Sequence, residues 1–169
     1  MTGIDWSEVR YFYPATDDFS EDPDQFADPE LIYRLDYFRE VLGKPVHVSP
    51  APGAMARFDD DAKTSQHYAV GRKSTAIDVF PEGPIIDAWL VAITGRFGGV
   101  GVYFDTMYRG ERKPMLHLDK RPRKKGAITL WMRKDGEYIY SRSEIIKELS
   151  RDSLDIKAKP TGTALLSLC

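Results

Sequence analysis

Ser65-Gln66-His67-Tyr68-Ala69-Val70-Gly71-Arg72-Lys73-Ser74-Thr75-Ala76-Ile77-Asp78-Val79-Phe80 sets an imidazole and a carboxylate at the two ends of a polar, glycine-containing loop that runs into a strand. The strand reading rests on Ala76 to Phe80, which is rich in β-formers and closed by Pro81. Side chains alternate along a strand, so Ile77 and Val79 face one way and Ala76, Asp78 and Phe80 the other. An aspartate between apolar neighbours on a half-buried strand is costly unless it is paired or ligates something.

A second stretch, Pro114-Met115-Leu116-His117-Leu118-Asp119, answers the first. Read as a strand, it puts Leu116 and Leu118 on one face and Met115, His117 and Asp119 on the other. Two neighbouring strands with matched faces, plus His67 on the loop, assemble two imidazoles and one or two carboxylates. That is the inventory of a catalytic zinc site, with three protein ligands and a fourth position for water. The competing reading leaves His67 and His117 as surface residues and makes Asp78 a turn cap.

In order, the motifs are Ser65-x-His67, Gly71, Ala76-x-Asp78-Val79, Gly98-Gly99-Val100-Gly101-Val102-Tyr103 and His117-x-Asp119. This order resembles the D-alanyl-D-alanine metallopeptidase superfamily, which includes bacterial carboxypeptidases, phage endolysins and the hedgehog signalling domain. The likeness is to the branch with a C-terminal His-x-Asp strand, and it covers roughly residues 30 to 120. It implies zinc held by His67, Asp78 and His117. It also implies hydrolysis of a peptide bond in peptidoglycan stem peptides, by a carboxypeptidase or an endolysin-like endopeptidase. The interval from His67 to Asp78 is eleven positions, longer than the family's usual one, because Arg72-Lys73-Ser74-Thr75 extends the loop. A loop absorbs such an insertion at modest entropic cost. Relatives carry a Glu or His just ahead of the last ligand as general base. Here Pro114 precedes it, and Asp119 is the candidate base. Arg57 stands nearest to the family's substrate-binding arginine, to hold a substrate carboxylate or the developing oxyanion, and Ser65 is expected to hydrogen-bond near the site.

Composition bounds the reading. A chain of 169 residues fits one domain with a sizeable core. Hydrophobic content of 42% beside 30% charged residues is that of an ordinary soluble globular protein. The net charge of -2 gives no global pull toward nucleic acid or membrane. The basic run Lys120-Arg121-Pro122-Arg123-Lys124-Lys125 lacks interleaved aromatics, which argues against specific nucleic-acid binding. Cys169 is the only cysteine, so an internal disulfide and a cysteine-ligated zinc within one chain are both excluded. No Gly-x-Ser-x-Gly supports a serine hydrolase, and the glycines at 98–101 lack the ending of a phosphate loop. They suit close approach beside a site. Asp59-Asp60-Asp61 is too short a run for a calcium loop.

Met1 to Glu8 shows neither a basic segment nor an apolar run, and no stretch is long enough to span a bilayer. The expectation is synthesis in the cytoplasm, with the wall reached by lysis or as part of a phage particle. A non-catalytic particle or tail component that keeps the same fold is the alternative function.

The remaining elements follow in order. Residues 1–28 read as an extended arm, aromatic at Tyr11-Phe12-Tyr13 and then acidic, with the acidic run a solvated loop. The arm's aromatics dock on the core or on a partner. Asp28-Pro29-Glu30 opens a helix through Leu31, Leu35, Phe38 and Leu42 that Gly43 ends. Residues 44–49 are a short strand, in which His47 is a packed or surface residue rather than a ligand. Residues 85–93 are a largely buried helix. Residues 127–132 and 137–140 form a hairpin about Asp135-Gly136, followed by a helix from Ser141. The fold expected is α+β: a small mixed single domain with a central antiparallel sheet flanked by helices. The domain spans 29–150, and a tail of 151–169 has the potential, like the arm, to contact particle or tail proteins.

Overall fold

A computed structural model of the protein describes residues 3–158. The chain forms α1 (Pro23–Phe26), α2 (Pro29–Leu42), β1 (Val46–Val48), β2 (Ala76–Pro81), α3 (Ile85–Thr94), β3 (Gly99–Tyr103), β4 (Met107–Tyr108), β5 (Glu111–Arg112), β6 (Met115–Asp119), β7 (Thr129–Lys134), β8 (Glu137–Ile139) and α4 (Arg142–Ala158). This is a single α+β domain. Six strands make one sheet in the order β1-β2-β6-β3-β7-β8, and β4 and β5 make a separate two-stranded ribbon.

Local signals set most boundaries. The Asp28 carboxylate accepts from the Glu30 N–H at 3.0 Å, Pro29 takes the first turn of α2, and Gly43 closes it at φ 65°. Asp135 (φ 52°) and Gly136 (φ 83°) form the tight turn between β7 and β8. α4 runs on to Ala158, so the tail expected from Arg151 begins as helix, and residues 159–169 lie outside the described residues.

The sheet is mixed rather than wholly antiparallel. β6 inserts between β2 and β3, antiparallel to both, while β7 lies parallel to β3 on its other edge. The reason is connection length. β6 ends with Asp119 opposite Gly99, and a short link at that same end starts β7 with Thr129 opposite Gly99. β7 therefore has to run the way β3 runs.

Strand alternation then sorts the sheet into two unlike faces. Ile77, Val79, Leu116, Leu118, Val100, Val102 and Met132 pack with Leu31, Ile32, Leu35 and Phe38 of α2, Ala88 and Trp89 of α3, and Ile145 and Leu149 of α4. Each such side chain contributes about 1.5–3 kcal/mol on full burial. By register, the other face carries Asp78, His117, Gly101 and Trp131 in one cross-strand row and Phe80, Met115, Tyr103 and Arg133 in the next.

The arm docks on the core. Phe12 is completely buried, and Asp36 of α2 accepts from the N–H groups of Arg10 and Tyr11 at 3.1 and 2.8 Å. Its acidic run is not simply a solvated loop, since several of its carboxylates serve backbone donors. Asp22 caps α1, and Glu21 accepts from the N–H groups of Gly53 and Ala56 at 2.7 and 2.8 Å. Loop donors shielded from water require such acceptors.

Candidate metal centre

The register sets Asp78 of β2 directly opposite His117 of β6, as the strand phases require. His67 reaches the same point from the loop. Its Nε2 lies 2.9 Å from His117 Nδ1 and 3.4 Å from Asp78 Oδ1, and the last two atoms are 3.0 Å apart. Zinc bonds of about 2.1 Å at tetrahedral angles put neighbouring donor atoms about 3.4 Å apart. The three atoms thus outline one slightly contracted face of a tetrahedron. All three residues are buried, and among the described residues they form a group able to hold a metal ion.

Each imidazole is held by its far nitrogen. His67 Nδ1 is 3.3 Å from the Met55 carbonyl, which can only accept. His117 Nε2 is 3.1 Å from Asp119 Oδ2. These partners assign a proton to each far nitrogen and leave lone pairs on the two near nitrogens, facing one another and a carboxylate oxygen. Three converging acceptors demand a cation between them, and a carboxylate or carbonyl behind each histidine is the usual orienting shell of a metal site. Without metal, a shared proton serves instead. Burial works against the His117 cation, but the Asp119 and Asp78 carboxylates outweigh it and raise its pKa above the usual value. Burial likewise opposes the Asp78 charge, yet the two histidines hold it well below the carboxylate range.

The loop delivers His67 because Arg72, Lys73, Ser74 and Thr75 are each tied down. Arg72 donates from Nε to the Tyr68 carbonyl and from Nη2 to the Ser65 carbonyl, at 2.9 and 2.8 Å. Lys73 Nζ caps the carbonyls of Asp24 and Gln25. The buried Ser74 hydroxyl donates to Met55 O at 2.5 Å, the same carbonyl that orients His67. Thr75 Oγ1 donates to Gln66 Oε1 at 2.9 Å.

Asp119 does not stand where a general base would. It is completely buried and does not itself line the cleft, and its oxygens are taken by His117 and by Arg121, the latter at 2.5–2.9 Å. Burial opposes its charge, but the bonds from His117 and Arg121 hold its pKa at about 2. Its place is behind His117, so the assignment of Asp119 as base is corrected to a positioning role. Ser65 accepts from the His67 N–H at 3.2 Å and lines the cleft, with its oxygen engaged in shaping the turn. Arg57 lines the same cleft and is fastened beside His67 by the bond from its N–H to the His67 carbonyl (2.8 Å).

The cleft over the three ligands measures about 590 Å3 and is bounded by Arg57, Arg121 and Arg133, by Tyr103, Tyr138 and Tyr140, and by Trp131. Among the described residues its only lining carboxylate is Asp78. Trp131 lies with its ring centroid 5.1 Å from that of His117, and Arg121 covers it at 5.0 Å. Reading the sequence put Tyr103 in a motif and Arg121 in the basic run but gave neither of them, nor Trp131, a place in the site. The available signal was the paired glycines of β3. A Cβ at Gly99 would come within 2.5 Å of the Asp119 carboxylate, and one at Gly101 would collide with the Trp131 ring. The glycines make room for side chains as well as backbone.

The basic run folds back onto the protein. Lys120 pairs with Asp28 and Glu30, and Arg123 donates to the carbonyls of Gly95 and Phe97. His47 stacks on Tyr108 and pairs with Glu82, outside the ligand group. No described helix is long and apolar enough to cross a membrane. Compared with protein-family models, with curated proteins and with solved structures, the chain finds no match in any of the three.

Proposed function

We propose that the chain is a zinc-dependent peptidase that hydrolyses a peptide bond in peptidoglycan stem peptides, in the manner of carboxypeptidases and phage endolysins. The observation that carries the metal is the convergence of His67 Nε2, Asp78 Oδ1 and His117 Nδ1, each imidazole backed by an acceptor on its far side. Two imidazoles and one carboxylate, with no thiolate, suit a catalytic rather than a structural zinc. When bound there, zinc supplies a Lewis acid for a carbonyl and an acidified water. The protein's own share is to hold the substrate. Arg57 and its fellow arginines give the cleft a positive lining that suits a peptide ending in a carboxylate. The substrate class rests on the ordered motifs and on this lining.

The second reading, a particle or tail component without turnover, is favoured by one observation. Among the described residues the cleft offers no carboxylate beyond Asp78 to take a proton. Two measurements separate the readings. Elemental analysis of untagged protein is expected to find about one zinc per chain, lost in the His67→Ala, His117→Ala double variant. The zinc-loaded protein is then incubated with stem peptides ending in D-alanyl-D-alanine. Cleavage supports the peptidase. Full zinc loading without cleavage moves the assignment to the assembly role, and no zinc at neutral pH removes both the metal and the peptidase.

A further inference from the structure

Tyr103 occupies a corner of the cleft that the ligand set does not use. It ends β3 on the site face, one cross-strand row beyond the row of His117, Gly101 and Trp131. Its ring lies edge-on to Tyr138 at 6.2 Å, with Arg133 over its face at 5.9 Å. Its hydroxyl is turned back toward the metal row, because Trp131 Nε1 donates to it at 3.2 Å. An indole nitrogen only donates, so this bond uses a lone pair of the phenol oxygen and leaves the phenol proton to the Tyr138 hydroxyl, an acceptor that a more basic oxyanion would displace. The placement is a built one. Gly101 lets the indole lie beside His117, and the indole in turn fixes the phenol.

Two of the cleft's arginines are engaged by carboxylates, and the third is fastened by its Nε to a carbonyl. Arg121 is bound to Asp119, Arg133 pairs with Asp105 at 3.5 Å, and Arg57 Nε donates to Gly53 O. Burial raises the phenol's pKa, and the Asp78 charge and the Tyr138 hydroxyl add to this against the opposing Trp131 bond, so the group keeps its proton at neutral pH.

We infer that Tyr103, oriented by Trp131, is the hydrogen-bond donor to the oxyanion that develops when a carbonyl is attacked over the His67–Asp78–His117 centre. The phenol lends a hydrogen bond and retains its proton, so no bond to it forms or breaks. A donor fixed in advance at a developing charge accelerates attack without binding the ground state more tightly. The kinetic consequence rests on the peptidase reading, and the geometric one rests on the metal centre alone.

The test uses full-length protein loaded with Co(II), whose visible spectrum reports the ligand field, and acetohydroxamate as the oxyanion probe. Tyr103→Phe is expected to bind Co(II) as the parent does, with an unchanged spectrum, and to bind acetohydroxamate about 10-fold or more weakly. Trp131→Phe, which removes the orienting donor, is expected to give a smaller loss. On a stem peptide, Tyr103→Phe is expected to lower kcat about 100-fold with little change in KM. Equal acetohydroxamate affinity in Tyr103→Phe and parent overturns the inference, whatever the peptide result. So does a loss seen with Tyr138→Phe in place of Tyr103→Phe, which would give the role to the outer phenol. Weaker acetohydroxamate binding in a protein that cleaves no stem peptide upholds Tyr103 and removes the peptidase reading. Failure to take up Co(II) overturns both.

Discussion

Asp119 and His117 show how much a single strand phase reveals about side-chain chemistry. Alternation puts both on one face of β6, and that much is legible in the sequence. That Asp119 bonds to the far nitrogen of His117 rather than standing free beside it was not legible. The reason lies in the His117 ring, which bends back so that Nε2 meets Asp119 while Nδ1 turns to Asp78. Arg121 then wraps around to neutralise the buried carboxylate. Asp119→Asn is therefore expected to weaken zinc affinity about 10–100-fold, as loss of an orienting partner does. Competition with a chromophoric chelator measures it. A base with no orienting role would instead leave affinity unchanged and abolish turnover. Ser74 acts at one further remove, through the Met55 carbonyl that orients His67. Ser74→Ala removes a buried hydroxyl bond and is expected to cost about 1–3 kcal/mol in urea denaturation.

At the level of elements, β3 and the loop from Ser65 to Thr75 decide whether the site exists. Gly101 faces His117 across one ladder and Trp131 across the other, and it is small because the indole crosses it. Gly101→Ala forces the Trp131 ring off His117. It is expected to destabilise the fold by about 1–3 kcal/mol and to shift tryptophan fluorescence, with denaturation and emission spectra as the measurements. The loop's length looked in the sequence like a departure that the chain had to absorb. Folded, Arg72, Lys73, Ser74 and Thr75 are the staples that hold His67 in place. Lys73 and Ser74 reach backbone carbonyls of distant segments, those of Asp24, Gln25 and Met55, and carbonyls carry no sequence signal. The same holds for the acidic stretch before α2, where Glu21 serves the N–H groups of Gly53 and Ala56.

The molecule as a whole is a sheet with one aliphatic face and one chemical face. Leu118 sits at zero exposure on the aliphatic face, and Leu118→Ala is expected to cost about 2–5 kcal/mol by thermal or urea unfolding. Across the domain, Lys120 ties the end of β6 to Asp28 and Glu30 at the start of α2. Hydrogen bonds from Arg34 and Lys120 lower the Glu30 pKa from 4.5 to about 2. A depressed carboxyl contributes stability above its unfolded pKa and loses it as pH falls through the folded value. Parent and Glu30→Gln are thus expected to diverge above pH 4.5 and converge as the pH drops toward 2. The difference is small, because Glu30 is more than half exposed and solvent screens it. Chelation of a bound metal is expected to lower Tm by about 5–10 °C, since a ligand at 100 times its Kd adds about 2.7 kcal/mol to the folded state. Sequence alone determined the α+β class, the helix caps, the hairpin about Asp135-Gly136 and the matched strand faces of Asp78 and His117, while His67 joined them only through the order of the motifs. All but the place of His67 follow from periodicity, turn chemistry and alternation, which act within a few residues. Only the tertiary structure decided the parallel β3–β7 pair, the docked arm, the place of Asp119 behind His117 and the Trp131–Tyr103 corner. Those depend on which distant segments end up adjacent once β6 enters between β2 and β3, and adjacency is set by packing of the whole chain.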